Sequence, residues 1–288
     1  MTRLITILLA LPLWFYAAWV QAAADNAPAD NASRLKLESL KLQGQYTQGG
    51  MLRGQVPKGS TLRLNGKKLS QSSTGDFVIG FGRDDALEQK LELITTSGKT
   101  VTIPFKLQPR TYKEQRIEGV PSRTVNPDPK HLQRIREEGR QVSQARWANS
   151  EEKGFLQNFI WPLQGPITGV YGSRRVYNGE PRRPHYGIDI AAPEGTEILA
   201  PADGVVTMAH GDMFFSGATM VIDHGLGINT SYLHMSKMLV KKGEKVQQGQ
   251  VIGLVGATGR ATGPHLCWRL NWFQTRLDPQ LIVPAMAN

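Results

Sequence analysis

The sequence predicts a mostly β protein with an N-terminal small β-sandwich, a helical linker and a C-terminal β-sheet domain. Three observations carry this. Short runs of alternating apolar residues fill the first third, a proline-bounded polar stretch follows, and the last part is dense in glycine with short β-branched runs. At 288 residues, 40% of them hydrophobic and 20% charged, the chain is long enough for one large or two modest folded domains.

The first element to justify is the N-terminus. Met1-Thr2-Arg3 is positive, Leu4 to Val20 is apolar, and Gln21-Ala22-Ala23-Ala24-Asp25 supplies small residues. This is the pattern of a secretory signal peptide, residues 1–24, cleaved after about Ala22 or Ala24. The alternative is an uncleaved anchor, but the run falls short of the roughly 20 residues that span a bilayer. A periplasmic or otherwise exported protein is expected, with no stable membrane insertion after cleavage. The net charge of +10 favours an anionic partner, and an acidic cell-wall polymer, a membrane surface and nucleic acid all qualify. No stretch reads as a nucleic-acid module, so nucleic acid is not an expected partner. The only cysteine is Cys267, which excludes an intramolecular disulfide.

Residues 34–108 supply the sandwich. Thr61-Leu62-Arg63-Leu64, Phe77-Val78-Ile79-Gly80-Phe81, Leu91-Glu92-Leu93-Ile94 and Val101-Thr102-Ile103-Pro104-Phe105 alternate as strands do, with turn residues such as Asn65-Gly66 between them. Nothing there looks catalytic, and a spacer or docking role is expected. Residues 109–154 form the linker, with Pro121, Pro127 and Pro129, and a helix over about 129–148. Asp128 is placed to cap it, Pro129 sits at its first position, and Leu132, Ile135, Val142 and Ala145 form its apolar side.

From 155 to 284 the glycine-rich runs predict the third element. Lys242 to Gln250 resembles the turns of lipoyl-type barrel sandwiches, and Pro193 to Val205 resembles the same unit. Together they predict an internally repeated β scaffold. His185 and Asp189 are four residues apart, and Pro184, Gly187 and the isoleucines favour a strand there. His185, Gly187 and Asp189 then share one face. His265, Cys267 and Arg269 share a face by the same rule, with Leu266, Trp268 and Leu270 opposite. Gly187 is expected to leave room for metal or substrate. Catalytic zinc takes three ligands from His, carboxylate or Cys and needs a neighbouring base. Each pair alone is weak and most often structural, whereas the combination points to a metal centre. His224 is expected to shape a turn, His210 to lie in a loop and His131 on the surface. Arg182, Arg183 and Arg269 are placed to meet carboxylates, although solvated charge is the default for each.

Val170-Tyr171-Gly172-Ser173-Arg174-Arg175 and Pro184-His185-Tyr186-Gly187-Ile188-Asp189 are followed by Asp223-His224-Gly225, Ser231-Tyr232-Leu233-His234 and Gly256 to His265. In this order they resemble the lysostaphin/LytM zinc metallopeptidases, though the first motif lacks a phenylalanine. The resemblance covers about 155–284 and implies a β-sheet/barrel-sandwich domain with a duplicated hybrid motif, and a hydrolase, a metalloendopeptidase acting on peptidoglycan stem peptides or cross-links in the cell wall. It implies Zn2+ as cofactor, His185, Asp189 and Cys267 as metal ligands, and His234 and His265 as catalytic residues. Cys267 stands where the family has a third histidine ligand. As thiolate it is a ligand that lowers the ion's net charge. In a second reading the domain is impaired, binding peptidoglycan or activating other wall hydrolases, with divisome or envelope proteins as partners. In a third, Cys267 is a small buried hydrophobe.

Overall fold

The protein's structure, a computed structural model, describes residues 40, 42–119 and 127–286. The expected signal peptide, the first residues of the sandwich and part of the proline-rich connector lie outside the described residues.

Two sheets form the N-terminal unit. Strands β1 (Gln43–Gly44), β2 (Met51–Gln55) and β5 (Asp76–Gly80) make one, in the order β1-β2-β5. The other has the order β4-β3-β6-β7, from β3 (Thr61–Leu64), β4 (Lys67–Lys68), β6 (Glu88–Ile94) and β7 (Thr100–Lys106). The alternation sends Leu52, Phe77 and Ile79 from one sheet against Leu62, Leu91, Ile103 and Phe105 from the other. Asn65 and Gly66 join β3 to β4 with φ of 48° and 81°, the left-handed pair that a tight hairpin needs.

Strand β5 is buried on both faces. Phe77 and Ile79 face the sandwich core, while Val78 joins the core of the C-terminal domain together with Met51. A Cβ on Gly80 would stand 2.7 Å from Cβ of Trp272, so only glycine lets the two units approach this closely. Arg53 fastens the same seam, donating to the carbonyls of Phe155 (3.2 Å) and Gln157 (2.6 Å). The sandwich is therefore docked on its neighbour rather than strung from it.

The linker contributes more than a connection. Its strand β8 (Glu114–Ile117) pairs in parallel with β10 (Arg174–Tyr177), and β11 (Glu180–Arg182) completes this small sheet. Helix α1 spans Leu132–Arg146 after a 3-10 turn at Pro129–His131, where the Asp128 carboxylate accepts from the amide of Lys130. The expected apolar side is only partly used. Leu132 is exposed and Ala145 is buried beside Met208, Met213 and Val221. The other anchor is polar: buried Glu138 accepts from Arg134 Nε (2.6 Å) and from the Phe214 amide (2.8 Å).

The C-terminal domain is built on one large antiparallel sheet. Its path is β18 (Lys245–Val246), β14 (Gly204–Met213), β15 (Gly217–Asp223), β16 (Ile228–Met235), β20 (His265–Trp272), β12 (Ile188–Ala191) and β9 (Ile167–Gly169). Strand β21 (Thr275–Leu277) adds to β20. Against one face packs a smaller sheet of β13 (Glu197–Leu199), β19 (Val251–Leu254) and β17 (Lys237–Met238). The two turn units expected to be related interlock, since β13 pairs with β19 and β14 with β18. Ile188, Ile190, Tyr232, Leu266, Trp268 and Leu270 point into this core. Their odd-numbered neighbours therefore point to the opposite face. His210 lies in strand β14, not in a loop as expected. Among the described residues, no helix is long and apolar enough to cross a membrane.

Candidate metal centre

Register brings the site together. In the β12–β20 pairing Asp189 stands opposite Cys267, and in the β16–β20 pairing Leu233 stands opposite Cys267, which places His234 one step beyond. His185 precedes β12 rather than lying in it. It is held by two backbone bonds, from its amide to the Ser173 carbonyl (2.9 Å) and from the Gly172 amide to its own carbonyl (2.7 Å). Its ring is buried, with Nε2 3.1 Å from Asp189 Oδ1 and 3.4 Å from Cys267 Sγ. One donor atom from each of the three lies within 4.8 Å of the others.

This trio fits a metal ion. Tetrahedral ligands at zinc-like bond lengths sit roughly 3.3–3.6 Å apart, close to the separations His185 already shows. Nitrogen, carboxylate oxygen and sulfur are also donors that zinc accepts. Burial lowers the His185 pKa, with Asp189 opposing, and so favours the neutral imidazole that ligates. Burial pushes Asp189 up, but the hydrogen bond and charge of His185 and the charge of Arg175 hold it well below the carboxylate range. Cys267 is the exception: burial pushes its thiol up to about 11, with Arg269 opposing. An ion entering here must displace that proton.

Two contacts shape Asp189. Arg175 Nη2 stands 2.7 Å from Oδ2, which leaves Oδ1 as the oxygen turned to His185. A Cβ on Gly169 would lie 2.2 Å from Oδ2, so the glycine of β9 makes space for the carboxylate. Gly187 has a different role from the one expected. A side chain there would meet Arg269 Cγ and the Trp268 carbonyl, both at 2.6 Å. It makes room for strand β20 and its arginine, not for metal.

His234 and His265 stand beside the trio with ring centroids 4.8 Å apart. His234 Nδ1 donates to the Thr258 carbonyl (2.7 Å) and His265 Nδ1 donates to the Gly263 carbonyl (2.9 Å). A carbonyl only accepts, so both rings carry the proton on Nδ1 and keep Nε2 basic. His265 Nε2 lies 4.0 Å from Asp189 Oδ1. Burial lowers the His234 pKa to about 4, which keeps it neutral near pH 7. Its φ of +65° is left-handed, an uncommon backbone state for a histidine and a sign of a position held by its surroundings.

All five residues line one cavity of about 570 Å³. Among the described residues the sandwich contributes nothing to its lining, whereas Gln115 of β8 and Val142 of α1 do. Of the other expected residues, Arg269 lines the cavity. His224 lies elsewhere, buried, with Nδ1 2.7 Å from the Asp203 carbonyl and Nε2 2.8 Å from Thr230 Oγ1. His131 is only half-buried, its ring 5.0 Å from that of Phe214. Arg175, Gly169 and Arg276 were not singled out in the sequence. Their roles depend on partners that only the fold brings near.

Residues 183–279, which contain the whole site, match the model of peptidase family M23. The chain is 49% identical over 105 residues to the peptidoglycan DD-endopeptidase ShyA of Vibrio cholerae, covering 36% of this chain and 24% of that protein. It is 38% identical over 133 residues to ShyB of the same organism, covering 46% and 30%. The matched stretch thus spans under a third of these relatives. A crystal structure assigned to peptidase M23 from Pseudomonas aeruginosa superposes with a TM-score of 0.66 at 29% identity, covering 85% of this chain and 98% of that one. Residues 183–279, in the C-terminal domain of this chain, are thus similar to the M23 peptidases.

Proposed function

We propose that the protein is a zinc-dependent endopeptidase, exported to the periplasm, that hydrolyses peptide bonds in peptidoglycan stem peptides or cross-links. One observation carries this reading: three metal-compatible donors converge beside two histidines whose Nε2 atoms are left basic. The names of the Vibrio cholerae relatives supply the peptidoglycan substrate, and the N-terminal apolar run supplies the export.

His185 Nε2, Asp189 Oδ1 and Cys267 Sγ would hold the ion. When bound, it supplies Lewis acidity, polarising the scissile carbonyl and making water acidic enough to act as a nucleophile near neutral pH. The histidines do the proton work. Nε2 of His265, on the Asp189 side, accepts a proton from the attacking water and can return it to the leaving amine. Nε2 of His234, neutral and free of a proton, is a second acceptor that can hold a hydrogen of the attacking water and orient it. The Nδ1 bonds to Thr258 and Gly263 fix both rings in the tautomer these steps need. A His, Asp⁻, Cys⁻ set cancels the ion's +2, which weakens its acidity relative to a set with two histidines. Arg175 returns a positive charge at 2.7 Å from Asp189 and offsets part of this.

The test uses purified full chain. Metal analysis by mass spectrometry should find zinc near one equivalent, and purified sacculi should release soluble peptides in a chelator-sensitive way. Protein that takes up no zinc and leaves sacculi intact with zinc added would overturn the proposal.

A further inference from the structure

The sheet face that carries Asp189 and Cys267 continues beyond them as a row of positive charge. Arg269 is the next residue on that face of β20, opposite Ser231, and Asn271 follows, opposite Asn229. Arg276 reaches this row from β21, its Nη1 donating to Asn271 Oδ1 (2.7 Å). Arg146, the last residue of α1, closes the end. Its carbonyl accepts from Asn229 Nδ2 (3.2 Å), and its Nη2 donates to Gln274 Oε1 (2.7 Å). The cavity that holds the metal trio extends along this row, with Ser231, Arg269 and Arg276 in its wall.

Three arginines so placed need an anion, and among the described residues no carboxylate lies within ion-pair reach of any of them. Asp223, on the same sheet face, accepts instead from the amides of Ser150 (3.1 Å) and Gly225 (3.3 Å). Buried donors are left over: Nε and Nη1 of Arg146, Nε of Arg269 and the Ser231 hydroxyl have no partner. Arg146 itself is only 7% exposed, so water does not readily serve it. Burial together with the like charges of its neighbours lowers the pKa of both Arg146 and Arg276. A buried cation cluster without a counter-ion is costly, and a bound anion relieves that cost.

We propose that Arg269 and Arg276, backed by Arg146, form a carboxylate-binding subsite at one end of the groove. The substrate is then an acidic peptide that docks a carboxylate on the arginines while its scissile bond lies at the His185–Asp189–Cys267 trio. Arg presents paired donors that match a carboxylate in geometry as well as charge. This rests on the hydrolytic reading above for the identity of the ligand, but the subsite can be tested without turnover.

The experiment compares two synthetic cross-linked stem peptides, one with free carboxylates and one fully amidated. Binding to the full chain is measured by calorimetry in the presence of chelator, and cleavage is measured with zinc. The free form is expected to bind about tenfold tighter or better. Arg269→Gln should shrink that preference to about threefold or less, and Arg276→Gln should do the same. Circular dichroism and melting curves check that each variant folds, and if one does not, Arg269→Lys takes its place with a partial loss expected. Equal binding of the two peptides by the unaltered protein overturns the subsite, as does a folded Arg269→Gln variant that keeps the full preference. Carboxylate preference without cleavage would leave the subsite standing and sink the hydrolytic reading. Cleavage without preference would do the reverse.

Discussion

Two buried histidine clusters of this domain differ in one respect. Around His224 both ring nitrogens are used. Tyr232 OH lies 2.8 Å from Thr230 Oγ1, which lies 2.8 Å from His224 Nε2, and Nδ1 donates to the Asp203 carbonyl. Around His185 the hydrogen bonding is incomplete. His185 Nδ1 has no partner, His234 and His265 are hydrogen-bonded through Nδ1 and not through Nε2 among the described residues, and the Cys267 thiol lies 3.4 Å from a ring nitrogen. A closed network holds a fold together, whereas one left open inside a cavity is prepared for something else to complete it. Burial alone does not tell the two apart.

The contrast predicts opposite responses to mutation. His265→Ala should lower kcat/KM for cross-linked peptide by about 10²–10⁴ while zinc content stays near that of the unaltered chain. Loss of zinc together with activity would make His265 a ligand and redraw the site. His224 should respond through stability instead. Burial lowers its pKa from 6.5 to about 4, so the folded state prefers the neutral ring. Above pH 6.5 both folded and unfolded rings are neutral. As pH falls from 6.5 toward 4 the unfolded chain takes up the proton, and stability drops by up to about 3 kcal/mol. Urea titrations across that window should show the slope, and His224→Gln should flatten it. An unchanged slope would mean that other groups dominate.

Arg175→Met should weaken zinc binding by roughly 10–100-fold, the usual cost of losing a partner that orients a ligand. Competition with a calibrated chelator measures this, and unchanged affinity would make the Asp189 contact incidental. The smallest effect is expected in the closed cluster. Thr230→Val keeps shape but removes the hydroxyl facing His224, costing about 1–3 kcal/mol in denaturant titration with zinc affinity unaltered.

Much of this was legible in the sequence. Strand alternation placed Cys267 and Arg269 on one face and Trp268 on the other, and the register bears that out. The two related turns pointed to a repeated β scaffold, though not to the way its two units interlock. The helix was legible in position but not in its anchor, because Glu138 is buried by partners on a distant hairpin. Gly187 was misread because the atoms it makes room for come from β20, some eighty residues away. Arg146 and Arg276 could not be read at all, and Arg175 stood only as part of a motif, with no partner assigned to it. A cation's meaning depends on what stands opposite it, and pattern along a chain does not carry that.

The central claim is that Cys267 binds the metal as a thiolate. Cobalt(II) substitution of the full chain tests it most directly, because a thiolate ligand gives an intense charge-transfer band that nitrogen and oxygen donors do not. The account predicts that band at one equivalent of cobalt, lost in Cys267→His while cobalt still binds. Full cobalt occupancy without the band would contradict it.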